Sequence, residues 1–300
     1  MFEILGKTNI GFMGKRYYAF GLSAMLALLG VLALVQIVRG HATLGVDFTG
    51  GTAVQLRFEQ PVDIGAARAA LADGGLQSVE LQEMTSGRVL LVRVKRQTAI
   101  EEKAAERIVL LLREKFPGNP LTVEGTTEIG PTVGQKLRDD ALLAATIAIL
   151  GIMIYIAMRF EFRFGVAAAI AMLHDVLAVL GLLYVMDKEI TLLVVTALLT
   201  LAGYSLTDKV VVFDRIRENL RRRRQESIAE MINASINQVL SRTVIVSLNF
   251  FFAVLALYLW GGDVLHDFSL AMVLGVVVGT YSSIFVASPL LMLWRSPIRI

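Results

Sequence analysis

The 300-residue sequence contains no cysteine, three histidines and only 18% charged residues. Without cysteine there is no disulfide framework, no thiolate metal centre and no thiol nucleophile, so any part outside a membrane must be held by its own apolar core. His41, His174 and His266 are too far apart in sequence to form a set with ligand spacing, which argues against a metal, and nothing calls for another cofactor. The densest basic run, Arg221 to Arg224, has no aromatic residues interleaved with it, whereas grooves for single-stranded nucleic acid combine the two. No nucleic-acid partner is therefore expected. What the chain has in excess is apolar character: 55% of its residues are hydrophobic and the mean hydropathy is +0.64, far above a soluble domain of this length.

A helix crossing the hydrocarbon core needs about 20 mostly apolar residues. Six stretches qualify: Tyr17 to Val38, Ala141 to Met158, Phe164 to Met186, Ile190 to Phe213, Thr243 to Trp260 and Phe268 to Trp294. The first is too long for a removed signal peptide and lacks a small-residue cleavage site, so it reads as a permanent anchor. Positive residues mark one side of the membrane: Lys7, Lys15 and Arg16 before the first span, Arg159 and Arg163 between the second and third, Lys209, Arg215, Arg217 and Arg221 to Arg224 around and after the end of the fourth, and Arg295 and Arg299 at the end. Both termini are then cytoplasmic. The expected division is 1–38 for the N-terminus and first span, 39–140 for a domain outside, and 141–300 for a five-helix bundle.

Within the outer segment the periodicity changes. Val54, Leu56 and Phe58 alternate, Asp63 to Ala72 reads as a helix, and strand-like runs follow around Val79 to Leu81 and Val89 to Val94, with Ser86-Gly87 as a hairpin turn. A second helix, Thr98 to Phe116, stops at Pro117-Gly118-Asn119-Pro120 before a last strand from Leu121 to about Thr127. The order β-α-β-β-α-β predicts a small α+β ferredoxin-like domain. Its carboxylates fall at exposed positions and the stretch from Val54 to Thr127 has no histidine, so a surface that contacts a partner is expected here, and no enzyme.

Ionisable residues inside a span cost at least about 2.5–3.5 kcal/mol on insertion scales and need a partner, a water-filled cavity or a function. His174 and Asp175 fall in the middle of the third span, Asp208 near the cytoplasmic end of the fourth, and Arg242 at the start of the fifth. Thr196, Thr200, Tyr204 and Thr207 recur at helical spacing along the fourth span and lead to Asp208, a stripe able to hold a file of water. Asp208 and Arg242 lie at similar depth and can be read as a switchable ion pair in a proton relay, as a static pair, or as a snorkelling Arg242 with Asp208 capping hydrophilic contacts near the interface; His174-Asp175 can be read as part of the relay or as a buried pair satisfied by neighbouring helices. Ala271, Gly275, Gly279 and Ser283 form a small-residue ridge for close helix packing. Glu226 to Leu240 is amphipathic and is expected to lie along the cytoplasmic interface, with the arginine run meeting anionic membrane lipid.

Three stretches carry a family resemblance: Leu44-Gly45-Val46-Asp47-Phe48-Thr49-Gly50-Gly51-Thr52, Ala171-Met172-Leu173-His174-Asp175-Val176, and the run from Ala202 through Thr207-Asp208-Lys209 to Asn219, joined later by Leu240-Ser241-Arg242-Thr243. In that set and order the chain resembles the SecF members of the SecD/SecF family, within the resistance-nodulation-division superfamily. The resemblance implies a bacterial inner-membrane subunit with a periplasmic domain, which pairs with SecD, associates with the SecYEG channel and uses the proton-motive force to help unfolded proteins through late export. It also implies that Asp208 and Arg242 take part in proton transport. Gly45, Asp47, Phe48, Gly50 and Gly51 form the membrane-to-domain connection, where the glycines permit a tight chain entry. Thr207 stands where asparagine is usual and Lys209 where a small hydroxyl residue is usual. Lys209 either points inward beside Asp208 or snorkels to the interface. A small-molecule exporter half of the same superfamily, or a scaffold for SecD that transports nothing, are the competing readings.

Overall fold

The computed structural model describes residues 8–40, 44–76, 79–84, 88–94, 104–222 and 226–293. The chain forms two units, Leu44–Leu143 and Met1–Thr43 with Ala144–Ile300.

In the smaller unit, strands β1 (Gly51–Phe58), β2 (Val79–Met84), β3 (Val89–Val94) and β4 (Leu121–Ile129) form an antiparallel sheet in the order β2-β3-β1-β4. Strand alternation sends Val54, Leu56 and Phe58 of β1 and Leu90, Val92 and Val94 of β3 into one core, where they meet Ala67 and Leu71 of α3 (Ile64–Asp73) and Ile108 and Leu112 of α4 (Ala104–Lys115). Asp63 caps α3 by accepting from the Gly65 N–H at 2.8 Å. A register shift between Gln55 and Leu56 against β4 lets Glu124 reach both Gln55 and Arg57. This is the ferredoxin-like α+β arrangement. The expected Ser86-Gly87 hairpin and the first turn of the expected second helix, Thr98 to Lys103, lie outside the described residues.

The chain enters β1 through a single helical turn, α2 (Val46–Thr49), followed by Gly50 at φ 68° and Gly51 at φ 130°. Both angles disfavour a side chain. A Cβ on Gly50 would also stand 3.0 Å from the Pro131 Cα, and one on Gly134 2.8 Å from the Gly50 nitrogen, so glycines on both sides allow the turn to rest against the start of α5.

Among the described residues, six helices are long and apolar enough to cross a membrane. They are α1 (Arg16–Val38, preceded by a 3-10 turn), α5 (Pro131–Arg159), α6 (Phe162–Val185), α7 (Leu192–Arg222), α8 (Ile228–Trp260) and α9 (Asp263–Ser282), the last continued by a π turn at Ser283–Ala287 and short helical turns to Leu293. The expected end of the last span at Trp294 lies outside the described residues, as do Lys7, His41, Arg223, Arg224, Arg295 and Arg299. Arg159–Asp214 (2.5 Å) and Arg217–Glu161 (3.4 Å) tie the α5–α6 connection to the end of α7, and Lys188–Asp267 (3.1 Å) ties the opposite connections together.

Helix α8 corrects one expectation. Glu226 to Leu240 is no separate interfacial segment, because α8 starts at a Ser227–Glu230 capping box and runs without a break to Trp260. Its apolar face packs on protein: Met231, Ile232, Ile236 and Leu240 are buried, with Ile232, Ile236 and Leu240 sharing a core with Phe12, Met13, Phe213 and Ile216. Amphipathic periodicity shows that a face is covered and leaves open whether lipid or protein covers it. Asn237 fixes the N-terminal segment by bonding both the N–H and the C=O of Ile10 at 2.9 Å, and Asn233 accepts from the Met13 N–H at 3.0 Å.

Helices α1 and α6 cross at Gly30 and Gly181. A Cβ on Gly30 would lie 2.1 Å from the Leu177 carbonyl oxygen, and one on Gly181 2.6 Å from the Gly30 nitrogen. These neighbours are backbone and cannot turn aside. Gly181→Val is therefore expected to lower the thermal midpoint of the purified protein in detergent, at a cost of at least about 1–3 kcal/mol. Gly151→Val on α5, where a Cβ meets nothing within 4 Å, is expected to be neutral by the same measurement. The small-residue ridge of α9 packs as expected on α7, with Gly275 against Leu201 and Gly279 against Ser205.

Candidate functional site

Several intramembrane polar residues gather where α6, α7, α8 and α9 meet, in two networks on neighbouring faces of α7. The first is centred on Asp175, which is fully buried. Its Oδ2 accepts from the Lys209 ammonium at 2.6 Å and from the Ser205 hydroxyl, and its Oδ1 pairs with His174 Nδ1 at 3.0 Å. Lys209, also fully buried, donates further to Ser205 Oγ at 2.5 Å and Ser282 Oγ at 3.0 Å. Ser282 in turn donates to the Gly279 carbonyl at 3.2 Å. Three helices thus share one charge-balanced network.

The second network belongs to Asp208, which is 4% exposed. Ser247 of α8 donates to its Oδ2 at 3.1 Å, and Thr280 of α9 lies 2.9 Å from Ser247 Oγ. Tyr204, one turn earlier on α7, stacks on Phe250 with ring centroids 4.4 Å apart. Adjacent residues on a helix diverge by about 100°, so Asp208 turns to α8 while Lys209 turns to α6 and α9.

The expected Asp208–Arg242 ion pair does not form: Arg242 is exposed, and no ion pair joins it to Asp208 among the described residues. Similar depth suggested the pairing, but depth leaves the rotation of each helix open. On α8 the residue facing Asp208 is Ser247, and Arg242, five residues away, points about 140° around the helix. Arg242 instead lines a recess of about 560 Å³ with Val211, Asp214, Arg215, Glu218, Gln238 and Val239. Beside it Arg215 bonds Gln238 at 2.7 Å and Glu218 at 2.5 Å, and the Asn219 amide bonds Ser235 and Gln238, each at 2.8 Å.

The hydroxyl stripe is arranged differently from a file lining the interior. Thr196, Thr200 and Thr207 are exposed at the outer surface of this chain, and their hydroxyls donate back to the carbonyls of Leu192, Thr196 and Gly203 at 2.9, 2.8 and 3.3 Å. Lys209 points inward, yet to Asp175, so it is neither a snorkelling residue nor one of the charges that set topology. Sequence reading missed Ser205, Ser247, Thr280 and Ser282. The only signal was small hydroxyl residues in otherwise apolar helices, with Ser205 one turn before Lys209. Of the connecting motif, Val46 and Phe48 are buried, and the Thr49 hydroxyl donates to Gly45 O at 3.2 Å.

The family model "Protein export membrane protein SecD/SecF, C-terminal" matches residues 115–297, and "SecD/SecF GG Motif" matches 43–62. A protein translocase subunit SecF from Thermodesulfovibrio yellowstonii is 49% identical over 295 residues, covering 98% of this chain and 97% of its own length. Another from Endomicrobium trichonymphae is 39% identical and covers 96% and 92%. A crystal structure of SecDF, a translocon-associated membrane protein from Thermus, superposes with a TM-score of 0.82 at 37% identity over 98% of this chain. This chain spans 40% of that SecDF chain. SecDF in its super-membrane-facing form gives a TM-score of 0.67 over the same share.

Proposed function

The chain belongs to the SecD/SecF family of protein-export membrane proteins, and from that premise we propose that it is the SecF-type subunit of a SecDF complex which uses the proton-motive force to assist late export through SecYEG. The likeness over 98% of this chain to subunits named for protein translocation carries the reading. Because this chain spans 40% of the solved SecDF chain, the remaining part is assigned to a SecD partner. Translocating unfolded proteins are its cargo. The positive-inside pattern supports cytoplasmic termini and an inner-membrane protein whose ferredoxin-like domain is periplasmic.

Asp208 is the proposed proton site, and Arg242 with its recess the proposed cytoplasmic mouth. While the carboxylate is charged, Ser247 donates to it. Once it holds a proton, Asp208 gains a buried O–H that needs an acceptor of its own while its other oxygen can still accept from Ser247, so the hydrogen bonding between α7 and α8 is rearranged. Helix packing then differs between the two protonation states. One proton crossing 100 mV supplies about 2.3 kcal/mol from the electrical term, so several are needed to hold a chain against substantial backsliding.

The test is stage-specific export in sealed vesicles, with and without a proton gradient, comparing wild type with Arg242→Ala at equal SecD. Wild type is expected to be stimulated by the gradient, and the variant to lose most of that stimulation. Absence of stimulation in wild type would leave the scaffold reading standing. Full stimulation in the variant would remove Arg242 from the proton path, and efflux of a small molecule in the absence of SecD would favour an exporter.

A further inference from the structure

The surroundings of the Lys209 ammonium have the make-up of a cation site. Around Nζ stand a carboxylate oxygen of Asp175 at 2.6 Å, the hydroxyl oxygens of Ser205 and Ser282 at 2.5 and 3.0 Å, and the Ser205 carbonyl oxygen at 3.5 Å. One negative charge and three neutral oxygens, drawn from three helices and closed from solvent, are what a hard monovalent cation needs to replace its hydration shell. The oxygens are held in place by their own bonds. Ser205 donates to Asp175, Ser282 donates to the Gly279 carbonyl, and His174 holds the other oxygen of Asp175. Gly279 lets α9 approach α7 here, since a Cβ on it would stand 3.0 Å from Ser205 Oγ.

We propose that Lys209 is a tethered cation: its ammonium fills a buried, oxygen-lined monovalent-cation site made by Asp175, Ser205 and Ser282, so that this centre is balanced without an ion from solution. A buried ammonium must satisfy all three of its N–H bonds, and this one does so with oxygens alone, one of them charged. Here the three N–H bonds of the ammonium are spent on three separate side-chain oxygens within 3.0 Å, and only the carbonyl lies further out. Removing the tether while keeping the oxygens should leave a site that takes sodium or potassium.

The experiment is thermal unfolding of the purified full chain in detergent, titrating NaCl or KCl at constant ionic strength against choline chloride, whose cation is too large to enter. Lys209→Ala and Lys209→Ser are expected to unfold earlier than wild type in choline and to recover with added sodium or potassium, by on the order of 5 °C at saturation. Wild type and Lys209→Met, which refills the space with an apolar chain, should show no saturable response. Neither should Asp175→Asn/Lys209→Ala, which lacks the negative charge. The proposal is overturned if neither short variant responds to either ion, if the response survives in the double variant, or if the short variants fail to fold whatever salt is present during purification. A short variant that can be purified folded only in sodium or potassium supports it.

Discussion

Lys209→Met is expected to destabilise the bundle by about 3–5 kcal/mol, the cost of leaving a buried charge without its partner. Methionine matches the length and volume of the lysine, so little of the loss would come from a cavity. What changes is the account at Asp175: three donors become two, and a carboxylate with no solvent access loses the ammonium that, with the imidazole of His174, makes up its ion-pair partners among the described residues. Replacing both members with apolar residues removes the problem at its source. Asp175→Leu/Lys209→Met is therefore expected to be more stable than Lys209→Met alone, although each added substitution lies in the same tightly packed junction. Unfolding of the purified proteins in detergent, followed by circular dichroism, checks both statements. A single variant within about 1 kcal/mol of wild type would show that the pair contributes little.

Asp208→Asn, one residue away, is expected to leave folding intact and to remove gradient-stimulated export, a drop of about tenfold or more in that component. Asparagine has the size of aspartate, and its amide oxygen can still accept from Ser247, so the α7–α8 contact survives. It cannot gain or lose a proton in this range, and the alternation of that contact is lost with it. Stage-specific export in sealed vesicles, with the variant present in wild-type amounts beside SecD, reads the difference. An assembled Asp208→Asn protein that exports at full gradient-dependent rate would defeat the proton-site assignment. Neighbouring residues of one helix are thus expected to fail in opposite ways, Lys209 through stability and Asp208 through coupling, because they face different helices.

Much of the fold was legible in the chain. Apolar runs located the spans because hydrocarbon imposes one length on every crossing helix. Alternation at Val54, Leu56 and Phe58 located β1 because a half-buried sheet obeys a period of two. The motif glycines were legible too, since Gly50 and Gly51 adopt backbone angles that a side chain would strain. Helix ends were less so. Hydropathy marks the stretch in lipid, whereas the backbone bonds continue, which is why α5 begins at Pro131 and α8 at Ile228.

At the candidate site the division is sharper. Sequence alone determined that Asp175, Asp208, Lys209 and Arg242 are present at or near membrane depth, because charge and position along a span are one-dimensional properties. Tertiary structure decided the pairing. Asp175 took Lys209, Asp208 took Ser247, and Arg242 turned to an open recess, because pairing depends on the rotation of each helix about its axis and on which neighbour packs there. Those rotations are set by long-range contacts, such as Gly279 on Ser205 and Gly30 on Leu177, between residues far apart in the chain.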